Sequence, residues 1–225
     1  MIQVQSALEK HTGIYTVAEA AHYARIPITT LRRWLEANKA GHRLLTRSRH
    51  PEERFLTFHD FVQLLAVRAI RSQHHVKLAD IYEAVDEAER THCIRYPFAR
   101  EHTTWLFEKK IVIRLDDTDE MIQLAGKGKG QTYLTRIIEM YLQDLSYDAE
   151  GLAEKYRPFP GIVMNPAIRF GEPMVESCGI TAQTLWDSVQ AEGGFTPAAE
   201  VHGVEPGDVI TACRYIDLLE SRLAA

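Results

Sequence analysis

The sequence predicts a mainly α fold with small β hairpins, an α+β class, and three observations carry that expectation. Capped helical periodicities recur near both ends of the chain. Short β-like runs stand beside turn residues in the middle and after residue 160. The 225 residues are 45% apolar and 25% charged, which is globular composition. That length holds one large domain or two small ones, each able to bury a core. Nine Pro and 13 Gly are too few for a low-complexity chain. No apolar run approaches the ~20 residues of a membrane-spanning helix. The start, MIQVQSALEKHTG, lacks the basic-then-apolar pattern of a signal peptide. Cys93, Cys178 and Cys213 are odd in number and far apart, which argues against a disulfide framework and for a reducing cytoplasm.

The first element is a short helix from about residue 15. Thr16 is its cap, with Glu19 at capping-box spacing, and Ala20, Tyr23 and Ala24 follow at helical intervals. Ala18, Ala20 and Ala21 are small enough to let a second helix cross closely. Ile26-Pro27-Ile28 breaks the chain, and Thr29-Thr30 then offers a cap for a helix over Leu31 to Ala37. Residues 41–58 are irregular and basic and end in the β-like Arg54-Phe55-Leu56-Thr57-Phe58; a hairpin there would be a wing. Residues 59–71 form an amphipathic helix on Phe61, Leu64, Leu65 and Ala69, and residues 77–90 another on Leu78, Ile81, Val85 and Ala88.

The middle changes character. Thr104 to Phe107 and Ile111 to Leu115 read as a hairpin around Glu108-Lys109-Lys110. Residues 132–145 read as a helix with Leu134, Ile137, Ile138, Tyr141, Leu142 and Leu145 on one face, followed by a turn at Tyr147 to Gly151. In the last block, Ile162-Val163-Met164 is a strand and Asn165-Pro166 a turn. Arg169 to Val175 is expected to be extended. Thr181 caps a helix to about Gln190, Thr196-Pro197 opens a second, and Glu205-Pro206 opens a third to about Leu223. The second and third resemble another helix-turn-helix unit.

Charge is distributed unevenly. Residues 1–80 hold 12 Lys and Arg against 7 Asp and Glu, net +5. Residues 81–225 hold 14 against 24, net −10, which together give −5 for the chain. Most of the positive charge lies between Arg25 and Arg54, a candidate footprint for a polyanion. The helix after Pro27 would present Thr29, Thr30, Arg32 and Arg33 outward and Leu31, Trp34 and Leu35 inward. Short hydroxyls at a helix start suit phosphate or base contact, and Arg takes the major-groove edge of guanine with two hydrogen bonds. Arg43, Arg47 and Arg49 complete the expected DNA-binding set, with Arg47 and Arg49 on the wing.

Tyr15-Thr16-Val17-Ala18-Glu19-Ala20-Ala21, then Thr29-Thr30-Leu31-Arg32-Arg33-Trp34, then Leu56-Thr57-Phe58-His59-Asp60-Phe61, resembles the MerR-like winged helix-turn-helix family over about residues 14–90. The resemblance implies major-groove binding by the second helix, as a homodimer. No long heptad helix follows, so dimerisation must come from elsewhere. Pro166-x4-Gly171-x-Pro173, an apolar strand and Ile180 before three helices resemble a domain family common beside PIN-type toxin genes in bacteria. That family's Gly-Thr-Arg is absent here; Ser177-Cys178-Gly179 stands in its place. Gly171 and Pro173 also have a plain backbone reading, an unusual φ and a turn or edge.

Both ends together, with the Tyr156-Arg157-Pro158 junction, resemble a VapB-type antitoxin. This implies three parts: a winged helix-turn-helix at 1–92, a middle linker or dimerisation region at 93–160 and an antitoxin-associated three-helix domain at 161–225. The implied partners are operator DNA and a cognate PIN-type toxin, VapC, a magnesium-dependent ribonuclease. Trp186, Phe195, Tyr215 and the acidic face are the expected toxin surface. The alternative is a one-component MerR-like transcription regulator sensing a small molecule in its middle region.

Other signals are set aside. Gly126-Lys127-Gly128-Lys129-Gly130 lacks the full P-loop and reads as a turn. The acids of Asp116 to Glu120 lack EF-hand spacing. His74-His75 are adjacent rather than one turn apart. Cys178 and Cys213 have no base at a useful spacing and read as buried small residues. Trp34, Trp105 and Trp186 read as core anchors. No enzyme activity, metal or cofactor is expected, nor a membrane partner.

Overall fold

Two threonines start the helices that organise the N-terminal half. The structure, a computed structural model, describes residues 13–45, 55–101, 103–107, 110–114, 121–123, 135–136 and 144–221. β1 (Ile14–Thr16) runs into α1 (Val17–Tyr23), where the Thr16 hydroxyl accepts from the Glu19 amide and the Glu19 carboxylate accepts from the Thr16 amide at 2.7 Å. β2 (Phe55–Thr57) runs into α3 (Phe58–His74) with the same reciprocal cap between Thr57 and Asp60. Each cap satisfies amides that the helix leaves without an internal partner. β1 and β2 make a two-stranded sheet.

Between them lies α2 (Ile28–Leu35), and α4 (Leu78–Arg90) follows α3. α2 begins at Ile28, with Pro27 as its capping residue and no side-chain cap. Thr29 and Thr30 therefore sit inside its first turn instead of capping it, since Pro27 both fixes φ and lacks the amide that would continue the helix backwards. Ala18 is exposed; Ala20, Ala21 and Ala24 form the buried face.

α3 is more enclosed than its pattern suggested. Phe58, Phe61, Val62, Gln63, Leu64, Val67 and Ile70 are all buried, whereas Leu65 is only half-buried. It is the central helix of its unit, wrapped on most sides. Gln63 is the polar exception: its amide donates to the Leu44 carbonyl at 2.9 Å and accepts from the Phe98 amide at 3.2 Å. The Tyr82 hydroxyl of α4 donates to the carbonyls of Trp34 (3.1 Å) and Glu36 (2.9 Å), tying down the C-terminal end of α2.

The hairpin expected in the middle is present. β3 (Thr103–Phe107) and β4 (Lys110–Arg114) pair antiparallel from Thr103↔Arg114 to Phe107↔Lys110. With β5 (Met121–Gln123) and β6 (Thr135–Arg136) they form a sheet in the order β5-β4-β3-β6. Thr135 and Arg136 are thus in a strand, pairing with Leu106 and Trp105, and not in the helix expected over 132–145. Sheet pairing overrides helical periodicity at these two residues; residues 132–134 and 137–143 of that expected helix lie outside the described residues, as do the 116–120 and 126–130 segments.

A second sheet has the order β10-β9-β8-β7, formed by β7 (Leu145–Tyr147), β8 (Ala153–Phe159), β9 (Ile162–Met164) and β10 (Met174–Val175). The register between β8 and β9 shifts between Tyr156 and Phe159. Pro158 falls in that interval, where its missing amide costs no ladder bond. The helices α5 (Ala182–Glu192), α6 (Phe195–His202) and α7 (Pro206–Glu220) complete the chain. Thr181 caps α5, accepting from the Thr184 amide at 3.2 Å, and Pro206 opens α7. α6 begins at Phe195 after Gly194, so Pro197 is its third residue.

Chain contacts divide the protein into two units, residues 16–153 and residues 1–15 with 154–225. The core of the second unit is Ile162, Val163, Met164, Val175, Leu185, Ala198, Val209, Ala212, Tyr215 and Leu219. The architecture is mixed α+β, with seven α-helices and small antiparallel sheets among the described residues. No helix among the described residues is long and apolar enough to cross a membrane, and no cluster of His, Cys, Asp or Glu there could hold a metal ion.

Candidate nucleic-acid interface

The exposed face of α2 is built by its inner one. Leu31, Trp34 and Leu35 are buried, so helical geometry turns Thr29, Arg32 and Arg33 to solvent and leaves Thr30 half-buried. No acidic residue lies in the first turn of α2. Its positive N-terminal end is left unneutralised, and the two arginines sit in its last turn, where cations suit the helix dipole.

Arg43 reaches this face through a local turn. The Asn38 side chain accepts from the amides of Ala40 and His42, both at 2.9 Å, and Gly41 takes φ +86°. That folds residues 38–42 back on themselves, and the buried pair Leu44–Leu45 anchors the far side of the turn. A shallow depression of about 520 Å³ results, lined by Val17, Arg32, Leu35, Glu36, Ala37 and Arg43. Arg32 and Arg43 share it, with Glu36 as the one acid on its wall. Burial pushes the pKa of the Tyr82 hydroxyl up, Glu36 adds to the rise and Arg33 opposes it.

Thr29, Thr30, Arg32 and Arg33 therefore lie on one helix with Arg43 beside it. Arg47 and Arg49 lie outside the described residues. Sequence reasoning missed the positioning residues Asn38, Gln63 and Tyr82. Asn38-Lys39-Ala40-Gly41 is a turn signal that could have found the first; one buried Gln or Tyr among many leaves no such trace.

The C-terminal motif resolves into a turn. Pro166, Gly171 and Pro173 are buried and Ile180 is half-buried. Arg169 to Gly171 form a single left-handed turn before β10, closed by hydrogen bonds from the Gly171 amide to the Ile168 carbonyl and from the Glu172 amide to the Arg169 carbonyl, not the extended run expected from Arg169 to Val175. Gly171 has φ +86°, and a Cβ built there would collide with the Tyr15 hydroxyl, which donates to the Gly171 carbonyl at 2.8 Å. Only glycine meets both demands. Arg169 (φ +47°) and Phe170 (φ +56°) are also left-handed, a conformation costing roughly 1–3 kcal/mol for such residues.

Of the residues expected to meet a toxin, Phe195 is exposed and Trp186 half-buried, but Tyr215 is in the core, with its ring 6.3 Å from that of Phe159. Its helical position, between Ala212 and Leu219, points it inward. Trp34 is a core residue, and Trp186 is a partial one. Cys213 is buried, and burial raises its pKa; Cys178 is only half-buried, because it lies in the turn between β10 and α5.

No protein-family model matches the chain. It is 23% identical over 214 residues, 86% of this chain and 89% of the relative, to a Mycobacterium tuberculosis protein named "Putative antitoxin VapB45". Its fold is similar to the X-ray crystal structure of Rv2018 from Mycobacterium tuberculosis, with a TM-score of 0.61 at 19% identity over 88% of this chain and 96% of that one.

Proposed function

We propose that this chain is an antitoxin of a type II toxin–antitoxin system, which neutralises a VapC-like PIN ribonuclease and represses its own operon by binding DNA as a homodimer. The observation that carries the reading is the similarity to a protein named as an antitoxin over 86% of this chain and 89% of that one. The arrangement of α2 supports the DNA-binding part: Thr29, Arg32 and Arg33 are exposed on one helix whose first turn holds no acid, with Arg43 on the neighbouring wall. In this reading residues 1–92 form a MerR-like winged module with Arg47 and Arg49 on its wing. Residues 93–160 link and dimerise it, and residues 161–225 serve the toxin. The chain works in the cytoplasm and is not an enzyme.

Co-expression with the protein encoded by the adjacent reading frame, followed by capture on a tag on this chain, tests the antitoxin part. A stable complex whose partner's ribonuclease activity is suppressed is the expected result. Tight operator binding without any complex would favour a lone MerR-like regulator with a small-molecule site in its middle region.

A further inference from the structure

We propose that the Ile168-Arg169-Phe170 turn is a preformed protein-docking knob, through which the chain holds its partner nuclease; this rests on the antitoxin reading above. Phe170 is 69% and Ile168 43% exposed, although both are large apolar side chains next to a well-packed core. Arg169 stands between them, also exposed.

The backbone is held in this shape rather than left to choose it. Three consecutive residues, Arg169, Phe170 and Gly171, are left-handed, and the first two are not glycine. Such a conformation persists only where the surroundings over-determine it, and the surroundings here do. Buried Asn165 begins the turn, its side chain accepting from the Ala167 amide and its carbonyl from the Ile168 amide, both at 2.9 Å. The Ile168 carbonyl accepts from Gly171 at 3.0 Å and that of Arg169 from Glu172 at 3.1 Å. Pro166 and Pro173 are buried at either end, and Tyr15 fixes Gly171 from beneath. The spaced Pro, Gly and Pro of the sequence are thus the frame, and the three residues between them are the part that the frame presents. An aromatic and an Arg on a rigid support are the residue types that dominate protein interfaces, with little ordering entropy left to lose on binding.

Charge selects the occupant. Residues 154–221 carry 4 Lys and Arg against 10 Asp and Glu. A nucleic acid is repelled by that surface, because each phosphate contact needs a cation. A second copy of this unit would bring the same excess of acid. The knob itself is apolar, cationic, apolar. It fits a different protein that offers an apolar pocket for Phe170 and a carboxylate on the rim for Arg169, and in an antitoxin that protein is the toxin.

The test uses the full chain co-expressed with the protein encoded by the adjacent reading frame. Complex affinity, the melting temperature of the free chain, its mass in solution and operator binding are read for Phe170→Ala, Phe170→Gly and Arg169→Gly. Phe170→Ala should weaken the complex by about 30-fold or more, as loss of an interface anchor does. Phe170→Gly should weaken it at least as much while leaving the melting temperature unchanged or raised, since glycine takes φ +56° without strain. A merely structural Phe170 would instead lower it. Wild-type and variant complexes of equal affinity would overturn the knob and leave the antitoxin reading standing. No complex with the wild-type chain would overturn both. Loss of a homodimer, or of operator binding, with the complex intact would overturn it in favour of a self-interface or a DNA contact.

Discussion

The chain contains a helix-turn-helix-like pair twice, α1–α2 and α6–α7, and the two differ most at the start of their second helix. α2 opens with Thr29 and Thr30 after Pro27 and has no acid in its first turn. α7 opens with Glu205 at the cap, Pro206 at the first position and Asp208 in the first turn, where Ser177 donates to the Asp208 carboxylate. The backbone of each helix start carries the same partial positive charge. In α7 the protein's own carboxylates occupy that end. In α2 no acid of the first turn occupies it, and the positive side chains Arg32, Arg33 and Arg43 gather at the opposite end of the helix. Similar local geometry therefore carries an acid in the first turn of the second helix in one place and none in the other.

The largest expected effect breaks this comparison directly. Arg32→Ala with Arg33→Ala should abolish specific operator binding in a mobility shift, each lost base contact costing about 1–3 kcal/mol. Glu205→Gln with Asp208→Asn, at the equivalent place in the second pair, should leave the shift where it was. An unaffected shift in the first double variant removes α2 from the interface; a changed shift in the second would mean that α7 also meets DNA.

The next effect concerns what the acidic unit is built for. Gly171→Ala must force a side chain into the left-handed region and against the Tyr15 hydroxyl. It should destabilise the chain by roughly 2–4 kcal/mol, from backbone strain and overpacking together. Tyr15→Phe alone should cost about 1 kcal/mol for its lost hydrogen bond, and in the Gly171→Ala background it should return part of the loss by removing the clashing oxygen. Chemical denaturation of the four chains forms a cycle, and strictly additive losses would show that the two residues do not share the contact.

These cases also separate what the sequence could show from what it could not. Thr16 with Glu19, Thr181 before α5 and Pro206 at the start of α7 are local signals, since cap and helix are neighbours in the chain, and each stands where its pattern placed it. The Thr57-x-x-Asp60 box is a local signal of the same kind. Thr29 and Thr30 match a cap pattern but lie inside the helix, because Pro27 starts it earlier than a threonine cap would. Sheet partners distant in sequence gave no local signal, so Thr135 and Arg136 read as helix. On the candidate interface, the outward set on α2 follows from period 3.6 alone. The meeting of Arg32 and Arg43 depends on the Asn38 turn and on Leu44 held by Gln63, contacts that composition and periodicity do not encode.

Gln63 sharpens the comparison from the basic side, because it fixes the segment that carries Arg43. Gln63→Leu keeps much of the side chain's bulk but leaves the Leu44 carbonyl and the Phe98 amide without a partner in a buried setting. The expected cost is about 2–3 kcal/mol for two stranded groups. Operator binding should weaken along with stability as Arg43 loses its support. A large fall in melting temperature with operator affinity intact would mean that residues 38–45 hold their place without it.

The smallest effect is a pH dependence confined to the unit of residues 16–153. His59 lies at the start of α3 with its Nε2 3.0 Å from the Ala153 carbonyl and its ring 5.4 Å from that of Tyr96. Burial lowers its pKa below the usual 6.5, and Arg100 adds to the fall; the Ala153 carbonyl and Asp148 pull the other way without reversing it. The neutral ring donates from Nε2, so the folded state resists a proton that the unfolded chain accepts. Stability from this group is therefore complete above about pH 6.5 and declines as pH falls below it, until the lowered folded value is reached. Urea midpoints at pH 7.5 and 5.5 measure the decline. His59→Gln retains a donor for the same carbonyl and does not titrate, so its midpoint should fall less over that interval than the wild-type one. Equal declines would assign the acid sensitivity to other groups and leave His59 with a packing role alone.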